Sequence, residues 1–348
     1  MTSTASSPAS PFHNIQKIAI FRSLYVGDML CIIPTVRAIR KAFPQASITL
    51  IGLPWQQAFV QRFAHYFDEH IVAPGLPGLP EQPFDAVKAV DFLSAMQQRS
   101  FDLVLQMQGN GAVTNALCSL FNARYTAGLR RDLDFHDDCA LFPVSPDTDH
   151  EITRFLKLVD ALGIRRHGID LEFPILPDEE QNYHDLRKTL ALPAKTRYIC
   201  LHAGARDVRR RWPAANYALV GDALIRHDYT VVLTGSEDER TLLDEVVGQM
   251  SQVPINLVRA AGHVGLGELA ALLRDAVFLI SNDTGVSHIA AALRVPSLVL
   301  FSPHSDVRRW APLDRQQHQV MTFDEAADPM AVTQRVLEKL ERYSVAAS

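Results

Sequence analysis

The sequence predicts an α/β chain built from two doubly wound units, each a parallel sheet with helices on its faces. Three observations carry this. Residues 277–303 hold two apolar runs, Val277–Ile280 and Leu298–Phe301, on either side of a helix-like segment, Val286–Leu293, stopped by Pro296. Continuous apolar runs around a short helix are the pattern of buried parallel strands joined by a crossover. The chain opens with the same order, Ile15–Phe21, a helical stretch Met29–Ala42, then Ile48–Ile51, and resumes it at Tyr198–Leu201, Ala214–Arg226 and Thr230–Thr234. At 348 residues the chain is long enough for two domains of ordinary size.

Taken in order, residues 1–14 (MTSTASSPASPFHN) are small, polar and Pro-containing, with no basic start and no apolar h-region. They read as a disordered tail rather than a signal peptide. The first domain spans 15–170. Its first strand runs into Arg22–Asp28, a loop at the C-terminal edge of a strand, where open α/β sheets put their ligands. The loop is not a G-x-G-x-x-G fingerprint, so a dinucleotide site is not expected. Pro34 falls in the first turns of the following helix, where its missing N–H costs least. Asp28, just after Gly27, has the composition of a helix cap.

Residues 52–100 show little clean periodicity, and Pro74–Pro80 is a loop. Phe101–Gln106 is a strand leading to Met107–Gly111, where Gln108 and Asn110 suit either ligand hydroxyls or turn backbone. Ala123–Leu129 is a short strand. The pair Asp132 and Asp134, and the run His136–Asp138, read as a solvated mixed-charge loop rather than a metal site. His150–Leu162 presents Ile152, Phe155, Leu156, Val159 and Leu162 on one helix face, and Gly163 stops it. The Pro-broken stretch Gly168–Glu179 is the linker.

The second domain spans 180–325. Its first strand ends in His202–Asp207 and the basic run Arg209–Arg211, and its second in Gly235–Glu239. Asn256-Leu257 is an edge strand, Ala260–Gly267 a loop, and Glu268–Arg274 a helix. The turn Ser281–Gly285 then hands a strand over to a helix. Backbone amides at such a helix start face outward and carry the positive end of its dipole, which suits phosphate. Thr284 adds a hydroxyl and Gly285 lets a ligand approach the backbone, although Asp and Thr here also suit an ordinary N-cap. His288 reads either as a ligand contact above the turn or as a packed histidine among alanines. Residues 326–348 carry Val332, Val336, Leu337 and Leu340 on one face, an amphipathic helix expected to pack back across the domains.

Composition narrows the class. Hydrophobic residues make up 47% and charged residues 21%, as in globular proteins. The net charge of −5 and a pI near 6.2 argue against a nucleic-acid partner. Cys31, Cys118, Cys139 and Cys200 are widely spaced with no CxxC pair, the pattern of buried thiols in a reducing compartment. No apolar run reaches the ~20 residues a bilayer-spanning helix needs. A soluble cytoplasmic protein is expected, with room for peripheral contact at the inner membrane.

The pattern D-T-G-x-S-H-x-A-A-A at 283–292, with Pro296 and a strand ending in Phe301, resembles the nucleotide-sugar site of the ADP-heptose:lipopolysaccharide heptosyltransferases. These are the family 9 glycosyltransferases, of GT-B fold. The segments Arg22–Pro44, with its G-D before an apolar helix, and His202–Tyr217, continuing to L-T-G-S-E-D-E, are similar to the same family. The resemblance implies two Rossmann-like α/β/α domains facing across a cleft and an inverting heptosyl transfer to a saccharide or glycolipid acceptor such as lipopolysaccharide core. It implies no cofactor and no metal beyond the donor, ADP-heptose. It makes Asp28 the general base, and His202, Gly204, Arg210, Arg211, Ser236, Asp283, Thr284, Gly285 and His288 the donor-binding set. The loop at 260–267 would pack on the nucleobase.

Four positions depart from the family pattern. Arg210 stands where Lys is usual and keeps the charge as a fork instead of a point. Gln106 stands where an acid is expected, and Ser302 where Gly is common. Ala214 replaces an acid that would hold the donor ribose. Ala214 keeps open a donor such as a UDP-hexosamine. Two further readings stay beside it: a degenerate nucleotide-sugar-binding protein and a sugar-nucleotide epimerase of the same architecture.

Overall fold

The computed structural model describes residue 12, residues 14–132 and residues 139–346. The chain divides after Asp170 into two compact units, each with its own parallel sheet. Asp134 and His136–Asp138 lie outside the described residues, as does all of the expected tail but Phe12 and Asn14.

The first unit runs β1 (Lys17–Phe21), α1 (Val26–Cys31), α2 (Ile33–Ala42), β2 (Ser47–Gly52), α3 (Gln56–Arg62), β3 (Glu69–Val72), α4 (Ala86–Arg99), β4 (Leu103–Gln106), α5 (Thr114–Ser119), β5 (Tyr125–Gly128) and α6 (Glu151–Ala161). The sheet order is β3-β2-β1-β4-β5. The winding of this all-parallel sheet therefore reverses between β1 and β4, and loops at that switch point form the natural ligand crevice. Phe21, Ile51, Phe92, Met96, Val104 and Phe121 pack one face.

The expected single helix over Met29–Ala42 is two helices. Pro34 lacks the N–H that would bond the Leu30 carbonyl, and its ring would crowd that carbonyl. The helix accordingly restarts at Ile33, with Pro34 in its first turn. Residues 52–100, which show no clear period, contain α3, β3 and α4. The reason is visible in burial. β3 is an edge strand with no buried residue, and α4 buries only Ala89, Phe92 and Met96 while exposing Val87 and Val90. The local signal that survives is Asp85, whose carboxylate caps α4 by accepting from the Val87 and Lys88 amides, both at 3.1 Å.

The second unit runs α7 (Pro177–Thr189), β6 (Tyr198–His202), α8 (Ala214–Arg226), β7 (Thr230–Thr234), α9 (Arg240–Gln249), β8 (Ile255–Asn256), α10 (Leu257–Ala261), α11 (Leu266–Arg274), β9 (Phe278–Asn282), α12 (Gly285–Ala292), β10 (Ser297–Phe301), α13 (Val307–Trp310), β11 (His318–Thr322) and α14 (Pro329–Ala346). Its sheet order is β8-β7-β6-β9-β10-β11, with the switch point between β6 and β9. The linker is shorter than expected, because α7 already begins at Pro177. Ala260 and Ala261 belong to α10 instead of a loop. On α14, Val332, Val336 and Leu340 join the core of this unit together with Leu224 and Met321. Arg37 pins the chain before the unit boundary by donating to the carbonyls of His167 (3.0 Å) and Asp170 (2.6 Å).

Candidate active site

In the first unit, Asp28 sits in the first turn of α1, with Tyr25 as the cap residue and no side-chain cap bond. Its side chain is about one-quarter exposed, at 25%. Asp28 is the acidic residue of that first turn, where the helix dipole favours a carboxylate. What holds it is Arg22, which follows β1 and is fully buried. The Arg22 Nε donates to the Asp28 carbonyl at 3.0 Å, and one terminal nitrogen lies 3.6 Å from the Asp28 carboxylate. The other terminal nitrogen donates to the Met107 carbonyl at the end of β4.

A buried charge from far along the chain completes the arrangement. Glu151, at the start of α6, accepts from Arg22 at 3.0 Å and from Arg154 at 3.2 Å. All three side chains are 0–1% exposed. The Phe155 ring lies 4.6 Å from the Arg22 guanidinium and 5.3 Å from that of Arg154. Buried charges persist only when paired and hydrogen-bonded, and this chain of alternating signs meets that condition. Sequence reading marked α6 as an apolar face and missed Glu151. The available signal was an acidic and a basic residue three apart inside an otherwise apolar helix face.

The loop after β4 is tied to the same place. Gln108 accepts from the Ser23 amide at 2.9 Å and donates to Glu81 at 3.1 Å. Gln106, where an acid was expected, donates to the Gln108 carbonyl and to Thr114. Asn110 accepts from the Ala112 amide at 3.2 Å. Gln106 and Asn110 thus shape the loop itself, and Gln108 ties it to Ser23 and Glu81.

In the second unit, the strand ends line up across the sheet: Ser281 of β9 pairs with His202 of β6, which pairs with Thr234 of β7. The turns that leave these strands are laced together by Asn282, which is fully buried. Its amide donates to the carbonyls of Ala203 (2.8 Å) and Gly204 (3.3 Å) and accepts from the Trp212 amide at 3.0 Å. This residue was not singled out from the sequence.

Around that lacing, the basic run separates into three fates. Arg210 donates to the Asp283 carbonyl at 3.3 Å and lies 3.6 Å from its carboxylate, with 31% of its side chain exposed. Arg209 turns outward onto Asp207 at 2.7 Å and holds that carboxyl well below its usual range. Arg211 donates to the Ala205 carbonyl at 2.8 Å. Only Arg210 joins the turn before α12. Asp283 is 3% exposed and also accepts from Ser305 at 2.8 Å. Thr284 caps α12, its hydroxyl accepting from Val286 at 3.4 Å, and Gly285 opens the helix. The turn therefore carries a cation, a helix start and a glycine together, which suits an anion. His288 is buried one turn in, with its ring edge-on to Trp310 at 6.1 Å.

His202, Gly204 and Ser236 gather around a different residue, Glu239. Its carboxylate accepts from the Ser236 amide at 2.9 Å and hydroxyl at 3.2 Å. It lies so close over Gly204 that an added Cβ there would meet it at 2.0 Å. His202 shares a 3.1 Å hydrogen bond with Thr234, and burial pushes its pKa down while Glu239 pulls the other way. Ala214 opens α8, 7% exposed, and adds no carboxylate. Among the described residues no group of three or more His, Cys, Asp or Glu gathers as a metal cage, and no helix is long and apolar enough to cross a membrane. Cys118 and Cys200 are buried thiols, and Cys31 is buried outside any disulfide.

Comparison with known proteins shows the family. The family model for glycosyltransferase family 9 (heptosyltransferase) matches residues 90–341. The lipopolysaccharide heptosyltransferase 3 of Escherichia coli K12 is 26% identical over 299 residues, covering 83% of each chain. The family 9 glycosyltransferase of Veillonella parvula superposes with a TM-score of 0.73 at 22% identity, over 90% of this chain and 87% of that one. The E. coli ADP-heptose lipopolysaccharide heptosyltransferase II superposes with a TM-score of 0.71 at 20% identity, over 95% of this chain and all (100%) of that one. These two structures share the fold of this chain.

Proposed function

Because the chain belongs to glycosyltransferase family 9 and is a glycosyltransferase, we propose that it moves a heptose from ADP-heptose to a saccharide acceptor such as a lipopolysaccharide core, with inversion at the anomeric carbon. Asp28 takes the proton from the attacking acceptor hydroxyl. The acceptor oxygen bonds to the anomeric carbon as the bond from that carbon to the diphosphate breaks, and ADP leaves with the electron pair. Arg210 and the start of α12 at Thr284–Gly285 stabilise the negative charge that grows on the diphosphate, where binding counts towards rate. The proton taken by Asp28 passes to water. No step draws on a metal.

The observation that carries this reading is the placement of Arg210 against the Asp283 turn at the head of α12. It supports a diphosphate leaving group. The acceptor's lipid anchor places the work at the cytoplasmic face of the inner membrane, with the protein in peripheral contact.

One observation favours a second donor, a UDP-hexosamine: Ala214 supplies no acid where the resemblance implies one that holds the ribose. Incubation with a panel of nucleotide sugars and cell-envelope acceptors, read by mass spectrometry, decides between them. A heptose mass added only from ADP-heptose supports the first reading, and hexosamine addition from the UDP donor replaces it. Thermal shift with ADP against UDP gives the same choice without an acceptor.

A further inference from the structure

We propose that Glu151 sets the basicity of Asp28 by acting through Arg22, with Arg154 as the counterweight. The inference rests on Asp28 being the catalytic base; Glu151 and Arg154 are positioning residues that need not touch substrate.

The argument is electrostatic. A guanidinium 3.6 Å from a carboxylate favours its ionised form and so weakens it as a base. Left alone, Arg22 would lower the pH at which Asp28 can take up a proton. Arg22 is not alone. Glu151 takes the nitrogen of Arg22 that also faces Asp28, at 3.0 Å against 3.6 Å for Asp28. The Glu151 carboxylate offsets part of the positive field that Asp28 feels. Arg154 in turn binds the other Glu151 oxygen at 3.2 Å and draws off part of that negative charge. With all three side chains shielded from water, these fields are little screened.

Charged groups on the neighbouring elements have partners of their own. On α2, which packs against both α1 and α6, Arg37 serves the His167 and Asp170 carbonyls and Arg40 serves Tyr66 and Asp68. Lys41 is exposed at the far end of that helix. Beside Glu151 on α6, His150 accepts from the Ile152 amide. From the β4 side come the Met107 carbonyl and Gln108, the latter bonded to Glu81. Arg22, Glu151 and Arg154 form a fully buried series of alternating charges leading away from Asp28.

The two substitutions that break this series move Asp28 in opposite directions. Glu151→Gln removes the offsetting charge, so the Asp28 pKa falls. Arg154→Met leaves Glu151 wholly to Arg22, so the Asp28 pKa rises. Each displacement is on the order of one pH unit. It is read in two ways: the acid limb of the kcat/KM profile, and the carbon-13 carboxyl resonance of Asp28, assigned with Asp28→Asn. A purely structural role for Glu151 and Arg154 would lower activity without opposite shifts. Midpoints that stay put, or move the same way, in folded variants overturn the proposal. If Glu151→Gln does not fold, because two buried arginines then share no acid, the double variant Glu151→Gln/Arg154→Met carries the downward arm. The resonance titration needs no substrate, so a wrong donor or acceptor leaves it intact. Full turnover in Asp28→Asn would instead reject the base role while the titration shifts stand.

Discussion

Arg210 reaches across 73 residues of sequence to lie 3.6 Å from the Asp283 carboxylate and 3.3 Å from its carbonyl. Asp283 is itself held from behind by Ser305. The pair fixes a guanidinium beside a helix start, and its neighbours Arg209 and Arg211 do not share that position. Arg210→Ala is expected to lower kcat/KM by about 10²-fold, the scale for losing one group that stabilises transition-state charge. Arg210→Lys should recover part of it, and Arg209→Ala should stay close to wild type. Steady-state kinetics with calorimetric ADP binding checks all three; equal losses at 209 and 210 would sink the assignment.

Asp28→Asn keeps the size of the side chain and removes its ability to take a proton. The expected result is a fall in kcat of about 10²–10⁴-fold. Donor affinity should be unchanged, because Asp28 belongs to the first unit and the donor set to the second. Weaker ADP binding in this variant would argue for a role in donor recognition instead.

Asn282→Ala removes the side chain that joins Ala203, Gly204 and Trp212, leaving buried backbone groups without their partner. A loss of about 2–3 kcal/mol in stability follows from stranding such groups. Urea unfolding followed by tryptophan fluorescence measures it, since Trp212 is in the affected loop. A midpoint within error of wild type would show that the turns hold without this residue.

His318 gives a pH dependence with a definite sign. Burial, set against the raising influence of Asp314, pushes it down to about 4, and it shares a 2.9 Å hydrogen bond with Ser297. An unfolded histidine has a pKa of about 6.5, so between the two values the unfolded chain binds more protons. This stabilisation is complete above about pH 6.5 and is lost as pH falls towards 4, amounting to about 3 kcal/mol. His318→Asn should flatten the stability curve over that window, as read by thermal melts at stepped pH.

How much of this was open to sequence reading depended on range. Strands β1, β6, β9 and β10 were legible because each is a continuous apolar run buried on both faces. The Asp283–Gly285 turn was legible because strand, cap and glycine sit within a few residues. β3 and α4 were not, since one has no buried residue and the other shows valines to solvent. The helix break at Ile32 could have been read from Pro34, but a proline two residues into a helix and one that splits a longer helix give the same local pattern.

The sequence by itself determined the two-unit α/β architecture and which turns leave the C-terminal edge of each sheet, because apolar periodicity and turn chemistry are short-range properties; the family came from the resemblance of its motifs. Only the tertiary structure decided which of three adjacent arginines meets Asp283, that Asn282 laces the β6 and β9 turns, and that Glu151 stands behind Arg22 at a distance of 129 residues. Those choices follow from which strands become neighbours and which side chains lose access to water, and a buried charge takes as partner whatever the fold brings beside it.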